Sequence, residues 1–371
     1  MRRVAILAVL LLLPVFTLED AGEAEDGIEA LLATVDVSEW DNLFRESGVS
    51  FDLLPSAYLK ALAAMDQPYA VSPQGLVRKL VLPAASAAAG RVALLLGIAV
   101  FAAALNGLSD RSGIGETART AFRIAASGMV LTLGFTEIRN ALELFSTAER
   151  VTEILLPPLV GFLTLSGMAR TAILLPAAQT LFSGFVLKTV GTVVAPLAVV
   201  GGVLLVLDAG GSGRVSSVGK LLQHAAKWIL GTVCSLYLIV TAVRSAAAVS
   251  ADGLLMRTTK LAVGSIPSIG ALMSDSVDVA YQCLRFVRSA LGLTGCIVLT
   301  AVLIKPMLST LLMRSALKMS ALLSEPLAGK PYAELLHGMG ETLHILLLAE
   351  LSTAAMAAAM LAPTFGAGGA V

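Results

Sequence analysis

The chain has 371 residues, of which 57% are hydrophobic and 14% charged, and its formal net charge is +0. Globular domains are about 25% charged, whereas the apolar excess here falls in runs of about 17–22 residues, long enough to cross roughly 30 Å of hydrocarbon. This is the composition of a polytopic membrane protein, and the missing basic excess gives no footing for nucleic-acid binding.

Cys234, Cys283 and Cys296 have no CxxC or other ligand-like spacing, so they support neither a disulfide framework nor a metal site. The N-terminus, MRRVAILAVLLLLPVF, places two arginines before a short apolar run. That is the pattern of a secretory signal peptide, with small-x-small residues at Gly22-Glu23-Ala24, and an uncleaved anchor is the alternative. The following stretch, acidic and then mildly amphipathic, carries isolated aromatics such as Trp40 and reads as a small exported helical region.

Candidate spans are Val92–Leu108, Ala121–Ile138, Val190–Leu207, Trp228–Val243, Leu291–Met313 and Thr342–Ala362. Two shorter apolar pieces, Ile154–Met168 and Thr171–Leu187, flank Arg170. With the N-terminus outside, Arg111, Arg119, Arg214, Lys220, Lys227, Arg314, Lys318 and Lys330 fall on inner loops, which the positive-inside rule supports, whereas Arg244, Arg257, Lys260, Arg285 and Arg288 then lie outside or in the membrane. No span shows a full polar stripe at helical spacing.

PLVGFL at Pro158–Leu163 is answered by PSIGAL at Pro267–Leu272, and each is followed by a proline-bearing span, at Pro196 and Pro306. Matching order suggests a duplication. The chain then divides into a signal peptide (1–24), an exported helical region (25–84), a first span with its inner loop (85–120) and two parallel membrane repeats (121–227 and 228–371). The fold class is all-α. In each repeat the interrupted segment reads as a re-entrant or interfacial hairpin, the pattern that points to a translocation site; an amphipathic hairpin on the outer surface is the alternative.

The charged stretch ADGLLMRTTKLAVGSIPSIGALMSDSVDVA also resembles the signature region of the stage III sporulation protein AE family of endospore-forming bacteria. The resemblance is carried by Asp252-Gly253, Arg257 and Lys260, the turn around Pro267 and Gly270, and Asp275 and Asp278. It implies a subunit of a channel or secretion-like complex in the mother-cell membrane that surrounds the forespore. The implied partners are the other stage III A proteins and stage II sporulation protein Q, and no enzymatic activity is implied.

The residues themselves offer little catalytic chemistry. GGSGRVSSVGK fails the phosphate-loop spacing at Arg214 and Leu221. His337 and His344 have no third ligand nearby, so neither zinc nor another cofactor is expected. Glu350, inside the last apolar run, is a functional-site hypothesis by its depth, against a neutral carboxyl bonded to a neighbouring helix. Lys305, just before Pro306, either lines a cavity or snorkels to the interface. Gly201-Gly202 favours close helix contact. The reading is a conduit subunit, expected to oligomerise within the bilayer, with a passive scaffold or a standalone secondary transporter as alternatives.

Overall fold

The computed structural model describes residues 37–46, 54–63, 82–109, 115–165, 168–208, 214–264 and 270–361. Side chains between 248 and 286 lie outside that description, as does the N-terminal signal-like segment. Every described element is helical. In chain order these are α1 (Ser38–Glu46), α2 (Pro55–Ala63), α3 (Leu82–Ser109), α4 (Gly115–Leu165), α5 (from Ala169 to Leu207), α6 (Arg214–Gly264), α7 (Gly270–Ala328) and α8 (Lys330–Leu361).

Among the described residues, five helical segments are long and apolar enough to cross a membrane: Thr120–Thr164, Arg170–Leu207, Arg214–Arg244, Ala290–Ala328 and Lys330–Leu361. The expected first span, Val92–Leu108, lies within the 28-residue α3, and the apolar stretch of it among the described residues is Ala89–Ala104. α8 packs along α7, α5, α4 and α6, making it the most enclosed of the long helices.

One end of the bundle, here the basic end, holds the connections α3–α4, α5–α6 and α7–α8. Gly329, at φ 84°, makes the last of these. This left-handed conformation costs glycine little, and Gly329 donates back to the Glu325 carbonyl (3.1 Å) before Pro331 opens the next helix. At the α5–α6 connection the Asp208 carboxylate accepts from the Ser216 amide (2.8 Å), satisfying a first-turn donor of α6.

The interrupted segments are not short separate pieces. α4 is 51 residues long and runs through Pro157 and Pro158, so Ile154–Leu165 is its last turns. Thr171–Leu187 is likewise part of α5, which continues to Leu207 through π-helical stretches at Phe182–Leu187 and Val190–Val194. The second π stretch has a visible cause. Pro196 cannot donate to the Thr192 carbonyl, and just before it the Ala195 amide bonds five residues back, to Val190.

α6 and α7 span 51 and 59 residues, about 76 and 88 Å at 1.5 Å per residue. The charged stretch therefore lies on the distal arms of two continuing helices, on either side of 265–269. The matched hexapeptides also occupy different places. Pro158–Leu163 is inside α4, whereas Gly270 opens α7 and Pro267 is outside the described residues. Pro196 and Pro306 do both fall within returning helices.

At the other end, here the Trp40 end, α1 buries Trp40, Leu43 and Phe44, an i, i+3, i+4 set on one face. Asp41 caps α2, accepting from the Ser56 amide (2.9 Å) and hydroxyl (2.5 Å). Trp40 is fully buried. A Cβ built on Gly295 of α7 would lie 3.5 Å from Leu361, 3.8 Å from Trp40 and 3.9 Å from Leu155, so three helices and α1 converge there. The Trp40 indole donates to the Ile154 carbonyl (3.3 Å). That carbonyl lacks its usual helical partner because residue 158 is proline and has no N–H. The proline pair thus leaves α4 intact and supplies an acceptor for α1.

Candidate functional site

Between the two ends lies a polar core within the apolar bundle. Glu350 of α8 and Glu137 of α4 are both buried, 0% and 1% exposed. Thr310 of α7 donates to Glu350 Oε1 (2.8 Å). One residue earlier, Ser309 donates to Glu137 Oε2 (3.0 Å). Arg91 of α3 forms an ion pair with Glu137 Oε1, its own side chain one-third exposed. Four helices thus contribute to one layer. Glu137 is saturated by a cation and a hydroxyl, whereas Glu350 Oε2 has no partner. A buried polar atom left open is costly unless something donates to it, so Glu350 is the position in this layer equipped to hold a proton, a water or a passing polar group.

The local sequence explains the placement. Pro306 precedes Ser309 and Thr310 by one turn, and the Thr310 hydroxyl also lies within reach of the Pro306 carbonyl (3.3 Å). Lys305 is exposed on the bundle surface and takes no part in the buried layer. Gln179, also buried, has neither amide atom partnered, which marks a further polar point on α5.

Nearer the basic end, Glu341 of α8 bridges Lys227 of α6 (3.4 Å) and Lys318 of α7 (3.3 Å). Beside it, Gln223 donates to Thr342 (3.1 Å), and Thr342 donates to the Gly338 carbonyl (3.1 Å). The backbones here are in contact. A Cβ on Gly201 would stand 2.8 Å from the Gly219 carbonyl oxygen, one on Gly338 2.9 Å from Leu205, and one on Gly202 would overlap Thr342. The close contact expected of Gly201-Gly202 is therefore real, and its counterparts are Gly219 on α6 and Thr342 on α8.

Of the other sequence-selected residues, Asp252, Gly253, Arg257 and Lys260 lie on the distal arm of α6, and Gly270, Asp275 and Asp278 on the opening of α7. Their side chains are outside the described residues. Glu137 and Arg91 escaped the sequence reading, although an acid at the end of one apolar run and an arginine just before another are the available signals. No group of three or more metal-binding side chains occurs among the described residues.

A bundle of long apolar helices tied by buried carboxylates defines a multi-pass helical membrane protein. Residues 72–368 match the stage III sporulation protein AE family, and the chain belongs to it. It is therefore a sporulation membrane protein. It is similar to the Stage III sporulation protein AE of Bacillus subtilis (strain 168), with 27% identity over 119 residues, covering 32% of this chain and 30% of that relative. No solved structure matches.

Proposed function

We propose that the chain is the multispanning subunit of a transenvelope channel complex between mother cell and forespore, and that it acts by conduction rather than by catalysis. In this reading it sits in the mother-cell membrane with its N-terminal region extracytoplasmic. It works with the other stage III A proteins and stage II sporulation protein Q. Family membership supports the sporulation context. The orientation is supported by Lys227, Arg314, Lys318 and Lys330, which gather at or near one end of the bundle.

The observation that carries conduction over passive anchoring is the buried layer of Glu137, Glu350 and Arg91. Ionisable groups at membrane depth are expensive, and a passive anchor has no need of an unpartnered one such as Glu350. The scaffold alternative draws support from Glu137, which is fully paired and could be purely structural.

Glu350→Gln in an endospore-forming host separates the two, since the amide keeps the shape but loses the charge. Conduction predicts a sporulation defect of at least tenfold with normal protein level and normal recovery of partner proteins. Wild-type sporulation with Glu350→Gln would remove the support for conduction. Loss of partner recovery at normal protein level would favour the scaffold.

A further inference from the structure

The continuous course of α4 brings an unexpected feature to membrane depth. Arg139, Glu143, Ser146, Arg150 and Glu153 follow one another at steps of four, three, four and three, and all are exposed. This spacing places them on one helix face. Ala141, Leu144, Phe145, Ala148, Val151 and Leu155 are buried on the opposite side. The Arg139 and Glu143 side chains are 82% and 62% exposed, and among the described residues they pair with each other (3.1 Å). Arg150 is 63% exposed and pairs with Glu46 of α1 at 3.4 Å. In sequence this stretch reads as a connection between two apolar runs. In the fold it is the middle of an uninterrupted rod, so α4 does carry a polar stripe.

Neighbouring contacts fix its level. Glu137 meets Ser309 of α7, and Leu155 meets α7 and α8 at Gly295 and Leu361. The stripe therefore lies beside the part of α7 between Gly295 and Ser309 and beside the last apolar turns of α8, the stretches that must be in hydrocarbon. Arg150, paired with Glu46 of α1, marks the level of the exported region, and Glu143 lies seven residues deeper, about 10 Å along the axis, farther than a short acidic side chain reaches. Lipid is a poor neighbour for this face.

A single stripe on the outside of its own bundle cannot enclose water, so closure needs other chains. Copies related by rotation about the membrane normal present equal residues at equal levels. Direct contact would set Arg139 against Arg139 and Glu143 against Glu143, like charge on like. The stripe suits a ring with space at its centre better than a tight pair.

We propose that the α4 face from Arg139 to Glu153 lines a water-filled passage at membrane level, closed by the same face of neighbouring copies of this chain. It rests on the conducting reading above. Two basic and two acidic residues give the lining no net sign, which suits hydrophilic solutes without strong charge preference.

The test uses the full chain with its native cysteines replaced, reconstituted in liposomes, carrying single substitutions Glu143→Cys or Ser146→Cys on the stripe, or Leu236→Cys or Ile239→Cys on the exposed apolar flank of α6. A small hydrophilic thiol reagent should modify the stripe at least tenfold faster than that flank, and modification of Ser146→Cys should change solute flux. Equal rates at stripe and flank would show the stripe to be no better hydrated than an apolar outer face and overturn the proposal. An unreactive stripe would do the same. A long bifunctional cross-linker should join Ser146→Cys copies, whereas efficient direct disulfide formation would show stripes in contact with no lumen. Ser146→Cys is a small change, so misfolding does not obscure the outcome. A reactive, cross-linkable stripe without flux would refute conduction while leaving the passage, so the two failures are distinguishable.

Discussion

The two ends of the bundle are closed by different physics. At the basic end the helices hold each other: Gly201, Gly202, Gly219 and Gly338 remove the side chains between α5, α6 and α8, and the backbones meet. At the Trp40 end a separate pair of short helices fills the gap, with an indole ring inserted among α4, α7 and α8. Small-residue contact tolerates no added volume, because neither backbone can retreat without moving a whole helix. A side-chain plug can be trimmed, and it loses in proportion to what is removed. The first end is fixed by what is absent, the second by what is added.

The inner contact should be the most sensitive point of the molecule. Gly202→Leu has no room beside Thr342, and overpacking of this kind costs about 3 kcal/mol or more. Loss of monodisperse protein in detergent is expected, while Gly231→Ala, with nothing within 4 Å of its would-be Cβ, should behave as wild type. Trp40→Ala should come next, since emptying a buried aromatic site costs about 3–5 kcal/mol. Much of that loss stays local, so the measurement is protease sensitivity of α1 and α2, which should rise with the long helices intact. Trp40→Phe separates ring from hydrogen bond. It leaves the Ile154 carbonyl unpartnered, and a loss of about 1 kcal/mol is expected from thermal unfolding.

Between the ends, Glu137→Ala strands Arg91 and frees Ser309. A buried pair broken on one side costs about 3–5 kcal/mol, and partial exposure of Arg91 lowers the expected figure to about 2 kcal/mol. Glu137→Gln, which can still accept from Ser309, should lie closer to wild type in melting temperature. The smallest effect belongs to Glu341→Gln. Its lysine partners reach water, and such pairs contribute about 0–1 kcal/mol, further reduced by added salt. A large loss there would mean that the basic end depends on charge rather than on glycine contact.

The helical membrane class was readable from apolar run lengths alone, and the charged signature stretch suffices to suggest the family. Glu350 and Gly201-Gly202 were legible because each is conspicuous locally, an acid in an apolar run and two glycines in a span. Glu137 and Arg91 were not, because each sits at the edge of a run, where a charge is ordinary; only the tilt and offset of neighbouring helices bring them inside. The course of α4 was hidden for a related reason. Charges from Arg139 to Glu153 and the proline pair both signal an interruption in sequence, yet tertiary packing carries the helix through them, and Trp40 occupies the acceptor that Pro158 leaves free. The hexapeptide match shows the converse, since Pro158–Leu163 stands inside a helix whereas Gly270 of its counterpart opens one.

The seat of Trp40 sets an order of events during biogenesis. The indole meets Leu155, Gly295 and Leu361 at one point, and the last of these is more than three hundred residues further along the chain. Ribosomes deliver about 5–20 residues per second, so the N-terminal helices wait tens of seconds for the last wall of their seat to be inserted. Through that interval Trp40, Leu43 and Phe44 have no complete binding site. Completion of this corner is therefore a late step of maturation, and a chain truncated before α8 would leave it open however well the preceding helices had inserted.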